Sequence, residues 1–165
     1  MRKLYGKKVV VFWTITFLWI GMILSLSSQN GDQTAELSGG LAGWIAELIF
    51  RDPSAGQMEQ VHMLIRKLAH VVLFLGLGGL SYAAGHVTFH RKGRRRAAAG
   101  ISAVLILSCA FLDEWHKQFI PGRHFDTGET LLNMCCGIAG IVIAGAVTRV
   151  ICGGRYKCFR EKCND

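Results

Sequence analysis

Apolar residues gather along the chain in four long stretches separated by short polar connections: Val9 to Leu26, Leu68 to Gly85, Ala97 to Leu112 and Leu131 to Cys152. Each approaches the length needed to cross a bilayer, since about 20 helical residues cover a hydrocarbon core near 30 Å. The pattern predicts an all-α integral membrane protein, a four-transmembrane-helix bundle with approximate spans 9–27, 67–85, 97–115 and 130–151. These form a single membrane domain over 1–165 that ends in a basic tail, 152–165. Nothing between the spans is long enough for a soluble catalytic domain, so any function sits in or against the bilayer. After the first span, Leu37, Leu41, Trp44, Ile45, Leu48 and Ile49 recur at i, i+4, i+7, i+8, i+11 and i+12. This is the stripe of an amphipathic helix. With Trp44 and the acids Glu36 and Glu47 it predicts a short interfacial helix in the first outer loop.

Charge orients the spans. The 165 residues are 51% hydrophobic yet carry a formal charge of +8, and most of the basic residues fall in three places. Arg2, Lys3, Lys7 and Lys8 open the chain, Arg91, Lys92, Arg94, Arg95 and Arg96 fill the second connection, and Arg149, Arg155, Lys157, Arg160 and Lys162 lie in the tail. Basic residues collect in short cytoplasmic loops. Four spans with both termini cytoplasmic satisfy all three clusters and leave the two acidic connections outside. The basic excess therefore reports topology in a cell membrane, and no nucleic-acid partner is expected. The opening MRKLYGKK, its apolar run and SLSSQ also fit a signal peptide cleaved after Ser27, but a run of about 18 residues exceeds the usual 7–15 residue signal core and favours retention as a helix.

No cofactor or metal is expected. Cys152, Cys158 and Cys163 in the tail lack a fourth ligand for zinc, and His70, His116 and His124 form no spaced ligand motif. Cys136, Gly140, Ala144 and Thr148 step by four along the last span, a stripe of small side chains over which another helix can approach closely.

Every unusual polar cluster falls on the outer side of this topology. The first span ends in SLSSQ, the second opens with IRKLAH, the third ends in LDEW and the fourth begins after HFDTGE. From Ala97 to Leu112 the third span is only about 24 Å long. Asp113 and Glu114 thus stand near or slightly below the interface, where charge needs partners. Arg66, Lys67 and Arg123 are candidates. Arg66, His70 and Phe74 step by four and share a face, as do Glu114 and Gln118. Pro121 and Gly122 are turn formers that return Arg123 towards the bundle. Asp126, Glu129 and Asn133 step down the fourth span, and Asp126 with Glu129 also has the spacing of a helix-capping box starting near Thr127. Two accounts stay open: a purely structural network, or a single ionised pocket. In the pocket Arg66 and Arg123 grip an anion, His70 transfers protons, and Asp113 or Glu114 orients them.

SLSSQ, RKLAH and above all DEWHKQFIPGRHFDTGETLLN resemble the VanZ-like family of bacterial membrane proteins, whose pattern is Asp-Glu-x-x-Gln-x-Phe, then Gly-Arg, then an acidic pair and an Asn. Carried over position by position, the resemblance implies polar roles for Ser28, Gln29, Arg66, Lys67, His70, Asp113, Glu114, Gln118, Arg123, Asp126 and Asn133. Members usually carry a second Asp where this chain has Glu129, one methylene longer, which argues against a direct catalytic role there. The family's best-known member is associated with low-level teicoplanin resistance. Teicoplanin carries a fatty acyl chain and acts at the outer face, so the resemblance implies membrane lipids and a lipoglycopeptide, or a lipid-linked envelope precursor, as partners. A small membrane enzyme acting on lipid-linked phosphate or peptidoglycan precursors is the alternative it leaves open.

Overall fold

A computed structural model describes residues 2–28, 40, 43–89, 95–120 and 125–161, without the side chains of 2–5 and 152–161. The elements are α1 (Arg2–Ser27), α2 (43–50), α3 (Ala55–Phe89), α4 (Arg95–Lys117) and α5 (Thr127–Glu161), with no strand among the described residues. α1, α3, α4 and α5 are each long and apolar enough to cross a membrane.

Helix α3 begins well before the apolar span that predicts it. Its start is set by chemistry rather than hydropathy. Ser54 Oγ accepts the Gln57 amide at 3.4 Å, and Gln57 Oε1 accepts the Ser54 amide at 2.9 Å, a reciprocal capping box. The resulting 35-residue helix is about 52 Å long, well beyond a hydrocarbon core near 30 Å. Its first turns support α2 through Ala46 and Val61, both buried, with Ile45, Met58 and Ile65 packed around them. Trp44, Leu48 and Ile49 of the predicted stripe remain exposed, leaving α2 with an apolar face turned outward. Leu37 and Leu41 lie outside the described residues.

Helix α3 is central and contacts α1, α4 and α5. Small residues let it do so. A methyl group on Gly78 would land on the carbonyl oxygen of Gly137, and one on Gly140 would land on that of Leu75, so the α3 and α5 backbones touch. Gly140 of the small-residue stripe is at this crossing, and Cys136 and Ala144 pack beside it. Gly76 lies under the Trp19 indole of α1, whose Nε1–H donates to the Leu73 carbonyl at 2.9 Å. Phe74, Leu77, Ile106, Ala110 and Ile141 fill the interior between these contacts. Outward-facing Val10, Phe17, Leu18, Val104, Val142 and Val150 are exposed, an apolar periphery suited to lipid.

Candidate functional site

At the end of the bundle where α4 stops and α5 begins, the triangle between α3, α4 and α5 turns polar. Asp113 and Glu114 come from the last turns of α4, His70 from α3, and Glu129 and Asn133 from the start of α5. Asp113, Glu114 and Asn133 are fully buried and His70 is 8% exposed. Measured along the helices, His70 to Phe89, Asp113 to Arg95 and Asn133 to Ile151 each rise about 27–29 Å. These residues therefore share one level, close to a hydrocarbon thickness from the opposite end.

Lys117 organises the cluster. Its buried Nζ pairs with Glu114 Oε1, lies 2.8 Å from Glu129 Oε2 and stands 3.3 Å from Asp113 Oδ2. It sits four residues after Asp113 and three after Glu114, so all three side chains share the inner face of α4. Burying an ammonium among carboxylates is tolerable only when each charge is paired. Here one cation serves three anions drawn from two helices.

Glu114 also shapes the chain after it. Asp126 caps α5, accepting the Gly128 amide on Oδ1 at 2.7 Å. In a capping box Glu129 would reach back to the Asp126 amide. Instead Glu114 Oε2 accepts that amide at 3.0 Å from another helix, and Glu129 is released to hold Lys117. The longer side chain at 129 thus spans the gap between α5 and α4.

His70 lies against Phe74, their rings 6.4 Å apart and nearly parallel at 13°, as the shared helical face predicts. Its Nδ1 is 4.0 Å from Asp113 Oδ2, an ion-pair distance too long for a hydrogen bond. Asn133 stands one turn beyond Glu129 on the same face of α5. One turn further, Gly137 packs against Ile106 and closes the polar region from below. Among the described residues, His70 Nδ1, both Asp113 oxygens and both amide atoms of Asn133 are buried and make no hydrogen bond.

Of the residues singled out by sequence, His70, Asp113, Glu114 and Asn133 converge with Glu129. Arg66 is half-buried, one turn before His70 on the same face of α3. Lys67 and Gln118 are exposed, Gln118 because α4 ends at Lys117 and the next residues form turns. Asp126 is exposed and contributes its backbone to Glu114. Ser28 is exposed and donates to the Ser25 carbonyl. Gln29 and Arg123 lie outside the described residues. Lys117 is the member that its place at the end of an apolar span conceals, although its i+3 and i+4 spacing to the two acids is visible in DEWHK. No three His, Cys, Asp or Glu side chains among the described residues are placed so that they could hold a metal ion.

The sequence profile described as VanZ/LLP1 matches residues 12–148. The chain belongs to the VanZ/LLP1 family. The match takes in the second half of α1, all of α3 and α4 and the whole polar triangle, and stops before the basic tail. No curated protein and no solved structure matches the chain. Asp113, Glu114 and Glu129, which lie in the stretch that carries the VanZ-like pattern, are the residues that surround Lys117.

Proposed function

We propose that this VanZ-family membrane protein acts at the extracytoplasmic face of the bacterial cell envelope, binding an amphiphilic ligand in the Lys117 cluster and lowering sensitivity to teicoplanin-type lipoglycopeptides. The observation that carries this is the placement of buried, hydrogen-bond-deficient polar atoms at one end of an otherwise apolar bundle. The basic residues support the orientation. The start of α1, the end of α3, the start of α4 and the far end of α5 lie at the other end, which the distribution of Lys and Arg assigns to the cytoplasm. A ligand that is half lipid and half polar meets such a site at the right depth. Arg66 at the edge and His70 behind it supply a cationic rim and a proton carrier.

The test is teicoplanin and vancomycin susceptibility of a sensitive Gram-positive host expressing the wild type, Asp113→Asn or Arg66→Gln, with membrane abundance followed in parallel. Protection by the wild type that is lost in both variants at unchanged abundance is the expected result. Full protection by both variants would reduce the cluster to a structural fastening.

One observation favours a second role, that of a small enzyme acting on lipid-linked phosphate or peptidoglycan precursors. The Asp113 carboxylate stands behind His70, as an acid does when it orients a histidine for proton transfer. An enzyme loses turnover in His70→Gln while still binding its substrate, whereas a binding module retains protection in that variant.

A further inference from the structure

The polar triangle is short of hydrogen-bond donors. Lys117 brings three N–H groups, and Glu114, Glu129 and Asp113 stand around them. The Asp126 amide takes the second Glu114 oxygen. That leaves Asp113 Oδ1 and Oδ2, Asn133 Oδ1 and Nδ2, and His70 Nδ1 buried without a hydrogen bond among the described residues. Three of these five atoms are acceptors only, and the histidine nitrogen becomes a fourth in one neutral tautomer. Formal charge points the same way. Three carboxylates face Lys117, with Arg66 at the edge, which leaves one negative charge uncompensated among these groups.

We infer that the cluster receives a primary ammonium group carried by an amphiphile, its N–H bonds directed at Asp113, Asn133 Oδ1 and His70 Nδ1. The inference rests on the cluster being a ligand site, as proposed above, and adds the chemistry of the head group. Buried polar groups require partners, and an ammonium is the compact group that supplies three donors and one positive charge together. Asn133 is the residue that sets the depth of the site. It lies fully buried one turn below Glu129, with Gly137 and Ile106 sealing the floor. Arg66 stands at the edge, where the phosphate that precedes the amine in an aminophospholipid head group meets a guanidinium. A quaternary ammonium has no N–H bond to offer these acceptors.

Purified full-length protein in detergent is titrated with short-chain phosphatidylethanolamine, phosphatidylcholine and phosphatidylglycerol, and with free ethanolamine, binding being followed by native mass spectrometry. Phosphatidylethanolamine is expected to bind at least about tenfold more tightly than phosphatidylcholine, the difference a charge-assisted hydrogen bond supplies. Asn133→Leu, checked for retained helicity, removes that preference. Asn133→Asp adds a carboxylate and keeps or raises it, a sign that misfolding cannot produce. Free ethanolamine competing at concentrations similar to the lipid supports the ammonium site and assigns it to soluble amines, while failure to compete assigns it to the lipid. Equal affinity for the ethanolamine and choline lipids, as expected if His70 neutralises the cluster by taking up a proton, overturns the inference. So does a preference that survives Asn133→Leu. The susceptibility assay reads separately: amine preference without teicoplanin protection removes the proposed resistance role and leaves the ammonium site, and protection without amine preference does the opposite.

Discussion

The seam between α3 and α5 is fastened in two opposite ways along its length. Around Gly78, Gly137 and Gly140 the two backbones touch and no side chain intervenes. Two to three turns away, His70 of α3 and Glu129 of α5 instead face Asp113 and Lys117 of α4. The first half is intolerant of size and indifferent to charge. In the second, an apolar filling of similar volume is often at least as stable as a buried ion pair. The two halves are separable by mutation.

The largest effect is expected from Lys117→Met, which leaves three carboxylates facing one another. Removing one partner of a buried pair destabilises by about 3–5 kcal/mol, so membrane abundance and the thermal midpoint in detergent should both collapse, with Lys117→Arg recovering part of the loss. If Lys117→Met melts like the wild type, charge does not hold this half together. Next comes the apolar replacement, in which Asp113→Leu and Glu129→Met accompany Lys117→Met, and Glu114→Gln keeps the acceptor for the Asp126 amide. Its stability should match or exceed that of the wild type, within a range of about 1–4 kcal/mol, while teicoplanin protection is lost. Unfolding of this variant would show that the charges are structural after all.

On the other side of the comparison, Gly78→Ala or Gly140→Ala forces a methyl group into backbone and should destabilise by about 1–3 kcal/mol. The detergent melt reads that loss directly. Ligand binding at the far end should persist in whatever fraction stays folded. The smallest effect belongs to Trp19→Phe, which removes the indole donor to the Leu73 carbonyl but keeps the ring over Gly76. A loss of about 1 kcal/mol is expected, and a loss above about 3 kcal/mol would mean that α1 is tied more tightly than this one bond allows.

Much of this was legible in the sequence, and the exceptions share a cause. The four spans follow from apolar runs that only lipid accommodates, and the one-sided gathering of polar residues follows from counting loops. Arg66, His70 and Phe74 come out on one face because helical spacing is local. Gln118 was placed beside Glu114 by the same spacing, but the helix stops at Lys117, and no local pattern announces that stop. The long α3 is signalled by Ser54 and Gln57 at capping-box spacing, a sign that hydropathy overrides. Asp126 and Glu129 have capping-box spacing too, yet Glu129 is drawn away to Lys117 and Glu114 takes its place. That exchange joins residues twelve apart through tertiary contact, which no reading of neighbours reveals.

Glu114 grips both Lys117 and the amide that opens α5, and this has a consequence for how the chain is made. Synthesis runs from α1 to α5, so α4 leaves the ribosome before either Asp126 or Glu129 exists. At that moment Asp113, Glu114 and Lys117 have one another and His70 of α3, and nothing from α5. The arrival of α5 supplies the missing carboxylate and the missing amide together, and the charges become enclosed. α5 is therefore the helix that completes the cluster, so these charges are not enclosed until α5 has emerged.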